Sequence, residues 1–432
     1  MEQLVEERNW AGNVTYRAPR MARPRSVEEL QDLVASAARI RALGSRHSFN
    51  DIADTSGTLA TLDGLDPQIS VDAARLTVTV SGGTRYATLA AELQRQGFAL
   101  HNLASLPHIS VAGAVSTGTH GSGDSNGNLA TAVAGIELVT ADGSIHTIRR
   151  GESPDFDGSV VALGALGIVS RLTLDIEPAF DVTQTVFENL AWDQVLDNFD
   201  GVMSSAYSVS LFTSWSGTTV DQAWLKHRTD SFTGGGSDTT TEGGSIPTFY
   251  GGTAATGARH PLPGVSGRNC TQQLGVSGPW SDRLAHFRAE FTPSKGEELQ
   301  SEYLIPREHA VDAIRTLRGL SDVVTPLLMI GEIRSIAEDN LWLSPNYGRD
   351  GIGLHFTWHP DQPAVEAALR LIDSELAPFA ARPHWGKVFT SEPSTLATLY
   401  PRFDDFIALA ARFDPTGKFR NTFLERTLYG NW

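Results

Sequence analysis

The chain has 432 residues, 41% of them hydrophobic, and its 34 basic against 50 acidic side chains give a formal charge of −16. That length predicts two or three domains with ample core, and the composition is that of a folded protein. The acidic balance, with no cluster of Lys and Arg, argues against nucleic acid and anionic membrane as partners.

The N-terminus, Met1 to Arg8, has neither the basic start nor the apolar run of a signal peptide. No segment reaches the ~18 to 20 apolar residues of a membrane span, so a cytoplasmic protein is expected. Ser26-Val-Glu-Glu29 is a capping box, predicting a helix with Val27, Leu30, Val34 and Ala37 on its apolar face. Ile40 to Leu43 reads as a strand running into the turn Gly44-Ser-Arg-His-Ser48. Consecutive amides in such a turn form a concavity for anionic oxygens. Leu76 to Val80 alternates as a strand, and Tyr86 to Gln96 reads as a helix stopped by Gly97. Ile136 to Val139 and Ile145 to Ile148 form a hairpin through Asp142-Gly143. Leu163 to Ser170 and Leu172 to Ile176 close an α+β domain near residue 178. The order is not the alternating βαβ of a dinucleotide fold, and no G-x-G-x-x-G opens a helix, so a nicotinamide-binding domain is rejected.

Within this domain lies Ser105-Leu-Pro-His-Ile-Ser-Val-Ala-Gly-Ala-Val-Ser-Thr-Gly-Thr-His-Gly-Ser-Gly123, nearly free of charge and poor in large apolar residues. Its glycines admit close backbone approach and its hydroxyls offer hydrogen bonds. Alone it would be a Gly/Ser surface loop. Paired with the upstream phosphate-type turn it reads as the second wall of a cofactor site rather than an ordinary core element.

From about residue 179 the character changes. Val209 to Thr213 and Gln222 to Lys226 read as strands of a second sheet, and Pro306 to Leu320 and Pro363 to Phe379 as helices. Thr229 to Asn269 is rich in Gly, Ser, Thr and Pro without period, and is expected to be a surface excursion rather than an active-site lid. The one cysteine, Cys270, excludes internal disulfides and a cysteine-built metal site, so no metal is expected. In Leu328 to Ile336 the two-residue period puts Glu332 and Arg334 on one face with Ile330 and Ile336. In Gly351 to Trp358, His355 and Thr357 share a face. A half-exposed sheet would account for each strand alone, but Glu and Arg at this spacing need a reason if buried. The third piece is Arg382-Pro-His-Trp-Gly-Lys387, where Lys387 sits among aromatic residues instead of in a solvated charge run.

The chain resembles the alditol (xylitol, sorbitol) oxidases of the vanillyl-alcohol-oxidase or PCMH-type flavoproteins. The resemblance rests on Gly44-Ser-Arg-His47, Ala104 to Gly113, Thr117-Gly-Thr-His-Gly121, Glu332-Ile-Arg334, His355-Phe-Thr-Trp358, Pro383-His-Trp-Gly-Lys387 and Asp414 to Asn421, in the family's order. It implies an α+β fold: a two-part FAD-binding domain, 1–178, to which 388–432 returns, and a cap domain, 179–387, with a mainly antiparallel sheet flanked by helices. It implies FAD held covalently by His47 through the 8α carbon, and cradled by Leu43, Gly44, Ser45, Arg46, Ser48, Ser105, Ser110, Gly113, Thr117, Gly118, Thr119, His120, Val169 and His384. A second, cysteinyl link is not expected, because Cys270 lies outside these motifs. Ser105, Gln300, Glu332, Arg334, His355, Thr357 and Lys387 look like the polyol-binding positions, since a polyol needs several oriented donors and acceptors.

The implied reaction is hydride transfer from the terminal CH2OH carbon to flavin N5, with O2 reduced to hydrogen peroxide. Arg334 and Lys387 would stabilise negative charge on the substrate oxygen, and Glu332 would orient both. His355 is the expected general base, with a Lys of lowered pKa as the other candidate. Ala104 should sit near the flavin edge. An aldonolactone oxidase or dehydrogenase, a redox-silent flavin- or sugar-binding protein and an NADPH-dependent flavin reductase are the alternatives. The partners expected are a polyol and O2, and relatives suggest a monomer.

Overall fold

The computed structural model describes residues 7–230, 247–291 and 296–430. Near the N-terminus, strands Arg20–Ala22 and Ile40–Leu43 flank Thr58–Thr61 in a small parallel sheet. Parallel strands need a crossover, and helix Val27–Ser36 supplies it between the outer two. The expected cap is in place: Ser26 Oγ accepts the Glu29 N–H at 3.2 Å, while the Glu29 carboxylate accepts the Arg25 N–H at 2.8 Å. Leu30 and Val34 are the buried face.

A second sheet runs Ile69–Asp72, Thr77–Ser81, Ile168–Asp175, Val133–Val139 and Ile145–Arg149, all antiparallel. The hairpin turns at Gly143 (φ +84°), where Asp142 accepts the Ser144 N–H. The strand expected from Leu163 begins only at Ile168, and then continues through Leu172 as a single strand to Asp175. Leu163, Gly164 and Gly167 all take positive φ, which no strand accommodates. The resulting bend is clamped by the buried Arg41 guanidinium, which donates to the carbonyls of Leu163 and Gly164. The 105–123 stretch also departs from expectation, because its middle is a short buried helix, Val111–Ser116. Small residues there allow close packing rather than solvent exposure.

The second half is built on one ten-stranded sheet. Its central path runs Asp181–Ala191, Thr219–Arg228, Ser208–Thr213, Leu328–Ile336, Gly351–Trp358 and Leu299–Pro306, each antiparallel to the next. One face carries Val209, Leu211, Ile333, Leu354, Phe356 and Trp358, in one core with residues of helices Ala310–Gly319 and Gln362–Leu376. The other face carries the polar residues of the same strands. It is buried as well, which removes the half-exposed-sheet reading: every residue of Gly351–Trp358 is buried.

The chain end turns back. Helices Pro393–Leu399, Phe403–Phe413 and Thr422–Thr427 bring Leu396, Phe406 and Phe423 into one core with Val78, Leu89 and Leu172. Ile40 N–H donates to the Lys418 carbonyl at 3.0 Å, and Asn421 Nδ2 donates to the carbonyls of Ile52 and Asp54. Residues 231–246 of the Gly-rich 229–269 stretch lie outside the described residues. Its remainder adds strands Thr248–Phe249 and Gly252–Ala254 to the edge of the large sheet.

Candidate active site

A cavity of 460 Å³ runs between the turn after Leu43 and the polar face of the large sheet. Its first wall is made by Leu43 to Ser48, and its second by Ser105, Ser110, Gly113, Thr117, Thr119, His120 and Val169, with His384 from the chain end. Ala104 lines it too. Gly118 does not: it takes φ +64°, and a Cβ there would point at Pro345, 3.1 Å from its Cδ. The turn is concave because Arg46 adopts φ +62°, the alternation that points successive amides to one side. The walls approach closely. A Cβ on Gly44 would stand 2.5 Å from Ser110 Oγ, and one on Gly113 2.7 Å from the same atom. Ser110 N–H donates to Ser45 Oγ at 3.2 Å, joining the two walls.

These residues fit FAD. His47 carries the decisive observation: its Nε2 is buried and has no hydrogen-bond partner among the described residues. A buried orphan nitrogen is costly unless something occupies it. Burial first, and Lys387 second, push its pKa down to about 4, so the imidazole is neutral and has a free lone pair at neutral pH. Trp10 packs on the ring at 4.5 Å between centroids.

The register of the large sheet assembles the other half of the cavity. Phe212 pairs with Glu332, Glu332 with His355, and His355 with Glu302, so one cross-strand row carries all four. The adjacent position pairs Ile330 with Thr357 and Thr357 with Gln300, while Arg334 lies two residues along from Glu332. Same-face neighbours in a sheet stand about 4.5 to 5.5 Å apart, which is why these residues meet. Gln300, Glu332, Arg334, His355, Thr357 and Lys387 all line the cavity, as expected.

One expectation about their roles is corrected. Glu332 touches Arg334 (Oε1 to Nε, 3.5 Å) but does not contact Lys387. The carboxylate that orients both cations is Glu302, which sequence reasoning missed. Its Oε2 accepts from Lys387 Nζ at 2.6 Å and its Oε1 accepts from Arg334 Nη2 at 3.3 Å. His120 Nε2 lies 3.2 Å from the same Oε1. Lys387 Nζ also reaches His355 Nδ1 at 2.7 Å, and His355 Nε2 reaches Thr357 Oγ1 at 3.1 Å. Burial alone would raise the Glu302 pKa, yet Lys387 and then His120 hold it well below the carboxylate range. Glu332 behaves likewise, with Arg334 and then His286 outweighing burial. Burial and then Lys387 push His355 down to about 4, and burial lowers Lys387 against the pull of Glu302. The site therefore holds two carboxylates, the Arg334 guanidinium, a lysine whose pKa burial lowers and a neutral imidazole.

Further lining residues also escaped the sequence reading. Glu302 follows Gln300 by two, so the alternation already applied to the other strands would have found it. His260, Pro261 and Leu262 line the cavity from the stretch expected to be a surface excursion, so that expectation is corrected for them. No local pattern distinguishes them. His286, on an irregular segment, had no signal at all.

Residues 18–149 match the FAD binding domain family, and residues 292–427 match the D-arabinono-1,4-lactone oxidase family. The alditol oxidase of a Streptomyces species is 51% identical over 425 residues, covering 98% of this chain and 99% of that protein. The L-gulono-1,4-lactone dehydrogenase of Mycobacterium tuberculosis is 30% identical over 441 residues, covering 97% of this chain and 98% of its own length. The crystal structure of cholesterol oxidase from B. sterolicum superposes with a TM-score of 0.75 at 15% identity, covering 98% of this chain and 96% of that one, which speaks to the fold alone. With a relative of this identity along its whole length and an FAD binding domain where the cradle lies, the chain belongs to the alditol oxidase family.

Proposed function

We propose that the protein is an FAD-dependent oxidase of the terminal primary hydroxyl of alditols, xylitol and sorbitol among them, giving the aldose. The carrying observation is the Glu302-centred cluster, which gathers Arg334 and Lys387 on one carboxylate in a cavity shared with the FAD cradle. The FAD, when bound, accepts the hydride equivalent and passes two electrons to O2, giving hydrogen peroxide. Residues 1–178 with 388–432 serve as its domain, and 179–387 as the substrate domain. His47, neutral and orphaned at Nε2, is the covalent anchor.

The protein's own part is to hold the polyol and to take its proton. Ser105, Gln300 and Thr357 offer neutral donors and acceptors along the cavity, suited to a chain with a hydroxyl on every carbon. Arg334 and Lys387 stabilise the oxygen as its proton leaves. His355 alone does not meet the general-base role, because both its nitrogens are engaged. The Lys387–His355 pair, linked at 2.7 Å, titrates as one unit: it takes the substrate proton from the form in which Lys387 is an amine, and Lys387 becomes the cation as the oxygen loses its proton. The reading further takes the protein as cytoplasmic, on the character of its N-terminal residues, and as a monomer, on family resemblance, and light scattering checks the second point.

The match of residues 292–427 to the D-arabinono-1,4-lactone oxidase family favours one other reading, oxidation of an aldonolactone ring. Peroxide release from xylitol, sorbitol and aldonolactones, measured beside flavin fluorescence on a denaturing gel, decides between them. Peroxide from alditols, with fluorescence that stays on the band and disappears in His47→Ala, is the expected result. Turnover of lactones only would overturn the substrate assignment.

A further inference from the structure

Behind Glu332, on the same sheet face, lies a second chain of buried polar groups that the reaction as described does not use. Lys226 stands on the strand Thr219–Arg228 and is 1% exposed. Its Nζ meets three acceptors: the carbonyls of Leu284 and Ala285, and His286 Nδ1 at 3.2 Å. The other ring nitrogen, His286 Nε2, lies 2.8 Å from Glu332 Oε1. The ring packs edgewise between Trp224 and Phe212, at centroid distances of 5.1 and 5.6 Å.

The two carbonyls accept only, so an ammonium satisfies all three contacts when Nδ1 offers its lone pair, whereas an amine satisfies them only if Nδ1 carries the ring proton. The short contact of Nε2 with the Glu332 carboxylate selects the first arrangement. The ammonium occupies the Nδ1 lone pair, which puts the ring proton on Nε2, facing the carboxylate. The other tautomer would set the Nε2 lone pair against Glu332. The contacts of Glu332 with Arg334 and His286 both run through Oε1, and Oε2 has no partner among the described residues. The carboxylate lines the cavity.

We propose that Lys226 and His286 are positioning residues for the alditol site: Lys226 fixes the His286 tautomer, His286 holds Oε1 of Glu332, and Oε2 is thereby aimed into the cavity to accept a substrate hydroxyl. The inference rests on the alditol reading of the cavity. Its chemistry differs from the Glu302 cluster, because the substrate-facing oxygen is set by a neutral imidazole donor rather than by a cation.

Lys226→Met removes the ammonium and frees the tautomer. KM for xylitol is expected to rise about tenfold with kcat changed less than threefold, because a ground-state hydroxyl contact is lost. His286→Gln in that background supplies an amide that has no tautomers and can still donate to Glu332. The double variant K226M/H286Q is expected to recover at least fivefold in KM over K226M. A merely structural role for Lys226 predicts no recovery, and that result overturns the proposal. Two-bond ¹H–¹⁵N spectra of the flavin-loaded protein, with His286 assigned by its loss in His286→Gln, give a readout independent of turnover. The Nε2–H pattern supports the proposal and the Nδ1–H pattern overturns it, even if K226M fails to fold. Failure of the alditol reading itself looks different: wild-type protein then turns over no alditol, whatever the tautomer.

Discussion

Glu302 Oε2 stands 2.6 Å from Lys387 Nζ while its Oε1 stands 3.3 Å from Arg334 Nη2, so one carboxylate that is 1% exposed neutralises two cations from distant parts of the chain. Breaking a buried pair by removing one partner leaves an uncompensated charge and costs about 3 to 5 kcal/mol. Glu302→Gln keeps the volume but removes the charge. It is expected to lower kcat/KM for xylitol at least 100-fold and to lower the melting temperature. It should also shift the acid limb of the pH–rate profile down, because Glu302 is what holds the Lys387 proton against burial and the pair accepts a proton only after losing that one. An unmoved limb would place the proton acceptor elsewhere.

The cap side of the cavity is expected to control substrate size through Leu262. It lines the cavity from the stretch that composition marks as loop, and packs against the Val186, Phe212 and Ile330 cluster. Leu262→Trp should fill space that the polyol needs, raising KM for sorbitol more than for xylitol while the bound flavin spectrum stays as in wild type. Overpacking typically costs 1 to 3 kcal/mol, so a modest fall in melting temperature accompanies it. A sorbitol-to-xylitol KM ratio unchanged from wild type would remove Leu262 from the binding surface.

How much of this was readable in the sequence follows from where each signal lies. Glu332, Arg334, His355 and Thr357 were legible because a two-residue period assigns a face, and strands Leu328–Ile336 and Gly351–Trp358 keep that period. What alternation does not say is whether the polar face meets water or another domain. Only the return of the chain end and the packing of the cofactor wall bury it. His286 and His260 were illegible for a different reason: they sit on irregular segments, where position depends on long-range contacts such as the His286 N–H to the Ser105 carbonyl. Glu302 was within reach and was missed, since Gln300 had already marked its face.

Acid should destabilise the protein through its neutral histidines. Burial first holds His286 and His355 at about 4, below the unfolded value of about 6.5. Between those values the unfolded chain binds more protons than the folded one, so stability rises with pH across the window. Each gap is worth up to about 3 kcal/mol once pH lies below both values. Asp339 works in the opposite sense, because burial lifts it to about 6 and its folded form takes up a proton first. Three histidines held at about 4, His47 among them, against one aspartate lifted to about 6 leave a net loss on acidification. The melting temperature should fall from pH 7 to pH 5, and fall less in His355→Gln. A profile unchanged by that substitution would mean that His355 is protonated in the folded state.

Flavin retention should depend on the contact between the two cradle walls. A methyl group at Gly44 would stand 2.5 Å from Ser110 Oγ but 3.6 Å from Ser110 Cβ, so the hydroxyl alone creates the clash. Gly44→Ala is therefore expected to push the walls apart and lower the flavin content of purified protein several-fold, read as the ratio of flavin to protein absorbance. Ser110→Ala removes the clashing oxygen and turns the approach into an ordinary van der Waals contact. The double variant G44A/S110A should then carry more flavin than G44A. If it carries no more, the defect comes from blocking the space of the cofactor itself rather than from the wall-to-wall contact, and the close approach of Gly44 to Ser110 is not what shapes the cradle.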